Sequence, residues 1–331
     1  MARTSEVQAG LSVETSRPGD PLISFVAPVL DEGPCVAVFA RRSLDAAEAC
    51  GVACEVVFVD DGSRDDTADE IAKLQARDPR IKSIHFTRSF GHQAALCAGL
   101  RFASGDAVVT LDGDLQHPPE LLENLLEAWR RGSDVVHTIR IDPPEQNATA
   151  KGWTSRLFYR VMGLISGLPL SPRSADFRLM DRRVVDAFNE LGERFVFTRG
   201  IVPWLGFRDS EVPYRVGDRH SGHTKFSWGR RLRLATDGIF SFSVLPLRVI
   251  TSLGLCTVLF AFAFGLFGLI SYAMGRVDDG GWMSLVCLLL IFGGVQLLSL
   301  GVVSEYVGRI HEEVKGRPRY VVDRMVGVEP R

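Results

Sequence analysis

The chain has 331 residues, of which 46% are hydrophobic and 24% charged, so it is long enough to bury a good-sized core and to carry a further element beside it. Its formal net charge of −2 argues against nucleic acid as the main partner, because a protein that binds a duplex needs a basic excess. The six cysteines form no CxxC pair and have no histidine at zinc spacing, which indicates reduced thiols in a cytosolic or membrane setting.

Residues 1–20 are polar and contain glycine, serine and proline. They lack the apolar centre of a secretory signal peptide. Their composition predicts a disordered tail in front of the first structured element.

Residues 22–140 alternate short apolar runs with longer helical segments. Candidate strands cover residues 23–29, 55–60, 81–87, 107–111 and 134–139. This alternation predicts an α/β fold with a mostly parallel sheet covered by helices on both faces. The first strand runs into PVLDEGP, so the GxGxxG fingerprint of the dinucleotide-binding dehydrogenases is missing and phosphates must be held in another way.

The segment VVTLDGDLQHPP, residues 108–119, places two carboxylates one residue apart at the end of a predicted buried strand. Open α/β sheets bind their ligands at this end of their strands. Asp112 and Asp114, with the neutral oxygen of Gln116, are ligands that suit Mg²⁺ or Mn²⁺ together with substrate phosphates. A turn without a ligand is the alternative, since Asp-Gly is also an ordinary loop signal.

Acidic pairs also follow the first two strands, at residues 31–32 and 60–61. Three like-charged clusters on one rim of a sheet repel each other unless a cation or a donor-rich ligand is present. Their coincidence favours a metal and a nucleotide at this edge. Asp65 and Asp66 suit the first turn of the following helix, where we expect them to act as caps.

Two long segments near the end of the sequence carry no charged residue. Residues 249–275 and 280–304 each exceed the length of about 20 apolar residues that crosses a bilayer as a helix. The short connection at residues 276–279 predicts a transmembrane hairpin with spans at 249–275 and 281–304; two helices buried in a soluble core are the alternative. Basic residues flank the hairpin on its outer sides, and by the positive-inside rule we expect both chain ends in the cytoplasm.

Residues 151–168 place apolar side chains at intervals of three and four among basic ones, which predicts an amphipathic helix, either interfacial or packed on the flank of the sheet. Residues 226–248 combine aromatic and basic side chains and predict a juxtamembrane interfacial helix that meets anionic headgroups and a lipid phosphate. Between these segments, Asp176 precedes a helix predicted over residues 181–191, where a helix cap is the simple interpretation.

The segments PVLDEG, EVVFVDDGSRDDT, FGHQAALCAGLRFASGD and LDGDLQHPPEL resemble the nucleotide-sugar-binding domain of glycosyltransferase family 2, whose fold is called GT-A. The segments SADFRLMDRRVVDAF, RFVFTRGIVPWLGF, RHSGHTKFSWGRR and EYVGRIHEEVKGRPRY resemble its polyprenyl-phosphate branch, which includes dolichyl-phosphate mannose synthase and the bactoprenol glucosyltransferases. The resemblance spans residues 22–322. It implies a catalytic domain at residues 21–225, an interfacial helix at 226–248, the two spans, and a cytoplasmic segment at 305–331.

Carried over by position, the resemblance also implies roles for individual residues. The nucleotide would be bound by Pro28, Leu30, Glu32, Asp61 and Asp112, although the family often has Tyr-Asn at the positions of Leu30 and Asp31. The metal would be held by the DxD motif, Asp112 and Asp114, with Gln116. The catalytic residues would be Asp114, Asp176 and Arg178, and the acceptor phosphate would be held by Arg178, Arg215 and Lys225.

The function that the resemblance implies is an inverting transfer of a sugar, first of all glucose from UDP-glucose, to a polyprenyl phosphate at the cytoplasmic face of the plasma membrane. The product would be a β-linked polyprenyl-phosphate sugar. The second pKa of such a phosphate is about 6, so the phosphate is already a nucleophile at neutral pH. Asp176 would then either orient it or act as the base that family precedent assigns. Family members with two spans imply a homotetramer.

Other functions stay open at this point. The donor is GDP-mannose or another UDP-sugar in one alternative. In another, the chain is a non-catalytic membrane-anchored nucleotide-sugar binder or a subunit of a sugar-lipid flipping system. A processive polysaccharide synthase shares the nucleotide domain, but such enzymes typically carry a QxxRW motif and more spans.

Overall fold

The computed structural model describes residues 17–141, 174–192, 198–214, 245–275 and 281–329. The amphipathic segment predicted at residues 151–168 and residues 226–244 of the interfacial segment lie outside the described residues. The described chain begins inside the predicted tail, where Arg17 stacks 4.8 Å from the centre of the Trp129 ring and lies 3.4 Å from Asp134 Oδ1. Residues 17–20 are therefore attached to the domain.

The five predicted strands and the helices between them are all present. They are β1 Leu22–Val29, α1 Gly33–Ala49, β2 Ala53–Asp60, α2 Thr67–Gln75, β3 Ile81–Phe86, α3 His92–Phe102, β4 Ala107–Thr110, α4 Leu122–Arg130 and β5 Val135–Arg140. The Asp65 side chain accepts a hydrogen bond from the Thr67 backbone N–H at the start of α2, as expected of a cap. It also accepts one from the Gly33 N–H, which ties α2 to the start of α1.

The remaining described elements follow in the second half of the chain. They are β6 Ser174–Asp181, α5 Arg182–Glu190, α6 Thr198–Trp204, β7 Asp209–Tyr214, α7 Leu245–Ala273, α8 Trp282–Val314 and β8 Val322–Val326. Asp176 lies inside β6, and the residue that caps α5 is Asp181, whose side chain accepts from the Arg183 backbone N–H at 3.0 Å. The helix-cap interpretation of Asp176 is wrong because the strand continues to Asp181.

The eight strands of the described residues form one sheet in the order β7-β5-β6-β4-β1-β2-β3-β8. β6 runs antiparallel to β4 and β5, β8 runs antiparallel to β3, and the other neighbours are parallel. The predicted α/β fold with a mostly parallel sheet is confirmed. Because β1 has β2 on one side and β4 on the other, the connections reverse direction between β1 and β4, and such a switch point is where open sheets bind ligands.

Helices cover both faces of this sheet. On one face, Phe39 from α1 and Trp129 from α4 belong to a buried cluster with strand residues, and on the other face Leu100 from α3 and Phe188 from α5 do so. The central strands are buried on both faces, so they read as continuous apolar runs such as LISFVAPV in β1. Each large apolar side chain buried in this way contributes roughly 1.5–3 kcal/mol to folding.

The two apolar helices predicted near the end of the chain are present as α7 and α8. Their segments Leu245–Gly268 and Ile291–Val314 are long and apolar enough to cross a membrane by length and composition, with mean hydropathies of 2.2 and 1.3. The buried share of these segments is 0%. α8 continues past residue 304, the predicted end of the second span, and the chain then returns to the edge of the sheet as β8.

A buried carboxylate links β1, β2 and β3 near their amino-terminal ends, away from the switch point. Glu55 is 3% exposed and accepts hydrogen bonds from Ser24 Oγ at 2.5 Å and from the backbone N–H and Oγ of Ser104, both at 2.6 Å. Its Oε2 lies 2.6 Å from Lys82 Nζ. Burial alone would raise the pKa of Glu55, but the bonds from Lys82, Ser104 and Ser24 outweigh burial and lower the pKa below its ordinary value.

We expect Glu55→Gln to destabilise the domain by about 1–3 kcal/mol at neutral pH, because the amide places a donor against the donors of Ser104 and Lys82. A lowered pKa stabilises the fold above the unfolded value of about 4.3 and loses this contribution as the pH falls. The difference in melting temperature between variant and wild type should therefore shrink below about pH 4. Thermal unfolding in detergent at a series of pH values measures this difference in melting temperature. Glu123→Gln, on the exposed side of α4, is the control. A difference that stays constant with pH would contradict this role of Glu55.

Candidate active site

A pocket of about 200 Å³ opens at the switch point between β1 and β4. It is lined by Pro28, Val29, Leu30, Glu32, Asp61, His92, Asp112, Gly113 and Asp114. The fold thus collects around one pocket all five residues predicted to bind the nucleotide, together with Asp114. A larger cavity of about 530 Å³ lies where the ends of α3 and α5 meet the segment after α8, and its described lining contains none of the predicted site residues.

The backbone conformation of the turn after β4, which carries Asp112 and Asp114, is restricted by steric contacts. A Cβ atom at Gly113 would lie 2.6 Å from Val29 Cγ1 and 3.3 Å from the carbonyl oxygen of Pro28, so only glycine fits against the end of β1 without movement. Leu115 adopts a left-handed backbone with a φ of 64°, which costs a non-glycine residue roughly 1–2 kcal/mol. The burial of its side chain helps to offset this cost.

Asp112 lies between two histidines. Its backbone N–H donates to His117 Nδ1 at 3.1 Å, and the same ring nitrogen lies 3.5 Å from Asp112 Oδ2. On the other side, His92 Nε2 lies 3.5 Å from Asp112 Oδ1. The side chain of Asp112 keeps 38% of its surface exposed, so its carboxylate is accessible to a ligand.

The donor set of the pocket fits a hard divalent cation. Asp112 and Asp114 both line it, and carboxylates with substrate phosphates are the ligands that Mg²⁺ and Mn²⁺ prefer. Gln116, the third predicted ligand, contacts Asp114: its backbone N–H donates to Oδ1 at 3.1 Å and its side-chain N–H to Oδ2 at 2.7 Å. Mg²⁺ is usually bound by one or two carboxylates together with substrate phosphates, so the substrate would complete the coordination.

The neighbouring carboxylates of the rim, Asp60 and Asp61, have close polar partners within the protein. Asp60 Oδ2 lies 3.0 Å from His85 Nδ1. Asp61 is 3% exposed and accepts hydrogen bonds from Ser89 Oγ at 2.7 Å and from the backbone N–H groups of residues 90 and 91 at 2.7 and 2.9 Å. These partners stabilise both carboxylates within the protein itself. Asp61 forms the back of the pocket and anchors the loop that leads into α3.

Asp176, on β6 beside β4, is buried under α6 with 5% of its surface exposed. Its Oδ1 accepts from Thr198 Oγ at 3.0 Å and from Arg178 Nη2 at 3.3 Å. Its Oδ2 accepts from Arg199 Nη2 and Nε at 2.9 and 3.1 Å, and His92 Nε2 lies 3.7 Å from the same oxygen. Asp176 and the pocket at the switch point therefore share His92 as a neighbour.

These contacts decide the ionisation of Asp176. Burial alone would raise its pKa, but the charge of Arg199, the contact with His92 and the charge of Arg178 outweigh burial and hold the pKa well below its usual range. Asp176 is therefore a buried carboxylate surrounded by positive charge and hydrogen-bond donors.

Arg178, predicted both as a catalytic residue and as a ligand of the acceptor phosphate, lies beneath Asp176 with 1% of its surface exposed. Its guanidinium donates to Asp176 and to the Thr198 carbonyl oxygen at 3.3 Å, and burial lowers its pKa to about 10. In this position Arg178 compensates the charge of Asp176 from the interior. Arg215 and Lys225, the other predicted phosphate ligands, lie outside the described residues.

Three residues around Asp176 are not among those predicted from the sequence: His92, Thr198 and Arg199. His92 has a usable signal, because FGHQ follows the third strand at the same edge as the acidic pairs. Thr198 and Arg199 have none, because only the packing of α6 on β6 brings them to Asp176.

The chain is similar to known proteins over most of its length. The family model of Glycosyl transferase family 2 matches residues 24–188. An uncharacterized glycosyltransferase of Synechocystis is 39% identical over 308 residues, which cover 93% of this chain and 96% of that protein. The SfII prophage-derived bactoprenol glucosyl transferase of Shigella flexneri is 39% identical over 302 residues, which cover 91% of this chain and 97% of its own. Among solved structures, mannosyl-3-phosphoglycerate synthase from Rubrobacter xylanophilus is 16% identical, with 71% of this chain and 75% of that chain covered and a TM-score of 0.47.

We expect Gly113→Ala to weaken the binding of UDP in the presence of Mn²⁺ by about tenfold or more, because the new methyl group overlaps Val29 and displaces the turn. Isothermal titration calorimetry measures this. Combining it with Val29→Ala should recover part of the affinity, because the overlapping Cγ1 is then gone. Gly19→Ala, where a Cβ meets nothing within 4 Å, is the matched control. If Gly113→Ala bound UDP as tightly as the wild type, the conformation of this turn would not determine nucleotide affinity.

Proposed function

Because the chain belongs to glycosyl transferase family 2, we propose that this glycosyltransferase moves glucose from UDP-glucose to a polyprenyl phosphate. The observation that carries the proposal is the pocket at the switch point, which holds Asp112 and Asp114 next to the buried acceptor-side Asp176. The similarity to a bactoprenol glucosyl transferase over nearly the whole chain supports both the sugar and the lipid class.

The walls of the pocket suit a nucleoside diphosphate. Leu30, 42% exposed, and Pro28 offer apolar surface for a base, and Glu32 offers acceptor oxygens for base or ribose donors. Mg²⁺ or Mn²⁺ at Asp112 and Asp114 would supply the positive charge that stabilises the departing diphosphate. GDP-mannose or another UDP-sugar is the alternative donor, and its base or sugar would make different contacts with the same residues of the pocket.

The chemistry is a single displacement at the anomeric carbon. An oxygen of the acceptor phosphate attacks C1 of the sugar from the face opposite the diphosphate, the new C1–O bond forms as the old one breaks, and UDP leaves with the electron pair. The configuration inverts, so an α-linked donor gives a β-linked product. The attacking phosphate has its second pKa at about 6 and has already lost its proton at neutral pH, so it needs little help from a general base.

We place the catalytic domain and both chain ends at the cytoplasmic face of the plasma membrane, with α7 and α8 as the two spans. The apolar segments of both helices are unburied, and basic residues flank them on the outer sides. This arrangement brings a lipid phosphate to the side of the membrane where nucleotide sugars are made. A homotetramer remains the expected assembly.

Transfer is tested directly with purified protein in detergent, radiolabelled UDP-glucose, Mn²⁺ or Mg²⁺, and undecaprenyl phosphate. We expect label in the organic phase after extraction. Label from GDP-mannose or another nucleotide sugar, but not from UDP-glucose, would change the donor and keep the reaction. Label that stays aqueous with every common nucleotide sugar, although the sugar nucleotide binds, would indicate a membrane-anchored binder or a flipping-system subunit.

We expect Asp112→Asn and Asp114→Asn to lower turnover on the order of 100-fold or more, because each removes a charged ligand that the departing diphosphate depends on. Initial rates with and without excess EDTA measure the metal requirement. Asp45→Asn, on the exposed side of α1, is the control and should retain wild-type rates. Full activity in excess EDTA would contradict the metal role of this pair.

A further inference from the structure

Two guanidinium groups face one buried carboxylate beneath α6. Asp176 pairs with both Arg178 and Arg199, so this cluster carries a net positive charge. The two arginines differ in access, because the side chain of Arg178 is 2% exposed and that of Arg199 is 33% exposed. Within this pair, Arg199 is the residue whose guanidinium a substrate can contact.

His92 shows how close Arg199 lies to the donor pocket, because His92 is near both Asp112 and the carboxylate that binds Arg199. One imidazole nitrogen, His92 Nε2, lies 3.5 Å from Asp112 Oδ1 and 3.7 Å from Asp176 Oδ2. The same Oδ2 atom holds Arg199. An anion bound by Arg199 would therefore lie near the wall of the pocket that carries His92 and Asp112.

The orientation of Arg199 is fixed from two directions. Asp176 accepts from its Nη2 and Nε together, which sets the plane of the guanidinium. The preceding residue, Thr198, donates its backbone N–H to Gln93 Oε1 at 3.1 Å, which attaches the start of α6 to the start of α3. A guanidinium held in this way loses little conformational entropy when it binds a ligand.

On the basis of the proposed function, we propose that Arg199 binds the phosphate of the polyprenyl acceptor and that Asp176 acts through Arg199, as a positioning residue. Arginine stays charged at every physiological pH, and its planar fork matches two phosphate oxygens. Arg178 stabilises the carboxylate of Asp176 from the protein interior. Asp176 would then set the direction from which the phosphate oxygen approaches C1, without taking part in proton transfer.

The first test is the steady-state kinetics of Arg199→Gln. We expect the KM for undecaprenyl phosphate to rise about 10- to 100-fold while the KM for UDP-glucose stays unchanged, because a charge-assisted hydrogen bond to the acceptor alone is lost. Arg199→Lys should recover part of the loss. Arg131→Gln, at an exposed guanidinium after α4, is the matched control. A fall in kcat with an unchanged acceptor KM would overturn the proposal.

A double-mutant cycle separates positioning from base catalysis. Asp176→Asn should raise the acceptor KM in the wild-type background and add little to Arg199→Gln, because both changes act through one guanidinium. A base at Asp176 would lower kcat in both backgrounds. Asp176→Asn leaves Arg178 buried without its counter-charge and risks unfolding, so the Arg199 variants carry the main test.

Binding without turnover distinguishes failure of this inference from failure of the proposed function. Purified wild type and Arg199→Gln are titrated with farnesyl phosphate, and farnesol serves as the phosphate-free control. Weaker binding of farnesyl phosphate to Arg199→Gln supports the proposal, and equal binding overturns it. If the wild type makes no lipid-linked product but binds farnesyl phosphate through Arg199, the proposed function fails and the assignment of Arg199 stands.

Discussion

A carboxylate buried away from water is tolerated only when positive charge and hydrogen-bond donors surround it, and Asp176 imposes this condition on the acceptor side. Arg178 from the same strand, Arg199 from α6 and His92 from α3 meet it. The same interaction therefore packs α6 against the sheet and presents an accessible guanidinium beside the pocket. Both arginines help to compensate this one charge, so the stability of this region and its chemistry depend on one carboxylate.

The donor side is organised differently, by backbone geometry. The close approach of Gly113 to β1 and the left-handed Leu115 determine where the two aspartates of the turn lie. The carboxylate of Asp61 accepts hydrogen bonds from the backbone of the loop that leads into α3. These bonds fix this wall of the pocket before a ligand binds. A site whose charged groups are held in advance loses less energy to reorganisation when charge develops on a leaving group.

Much of this could be predicted, and the exceptions have physical reasons. The central strands are buried on both faces and read as unbroken apolar runs, which is why β1 to β5 were recognisable. β6, SADFRLMD, carries buried Asp and Arg side chains that interrupt such a run. β8 is an exposed edge strand with little apolar pattern. Arg199 lies 23 positions from Asp176, and no local pattern connects the two.

Local patterns in the amino-acid sequence were sufficient to determine the alternation of strands and helices, the aspartates at the carboxyl end of β4, and the two long apolar helices. Each of these depends on neighbouring residues and on the periodicity of strands and helices. Only the tertiary structure decided which carboxylates already have donors of the protein around them, which charges surround Asp176, and which of its two arginines is exposed. Those properties depend on burial and on charges contributed by α3, β6 and α6, which are far apart in the chain and meet only when the sheet is assembled.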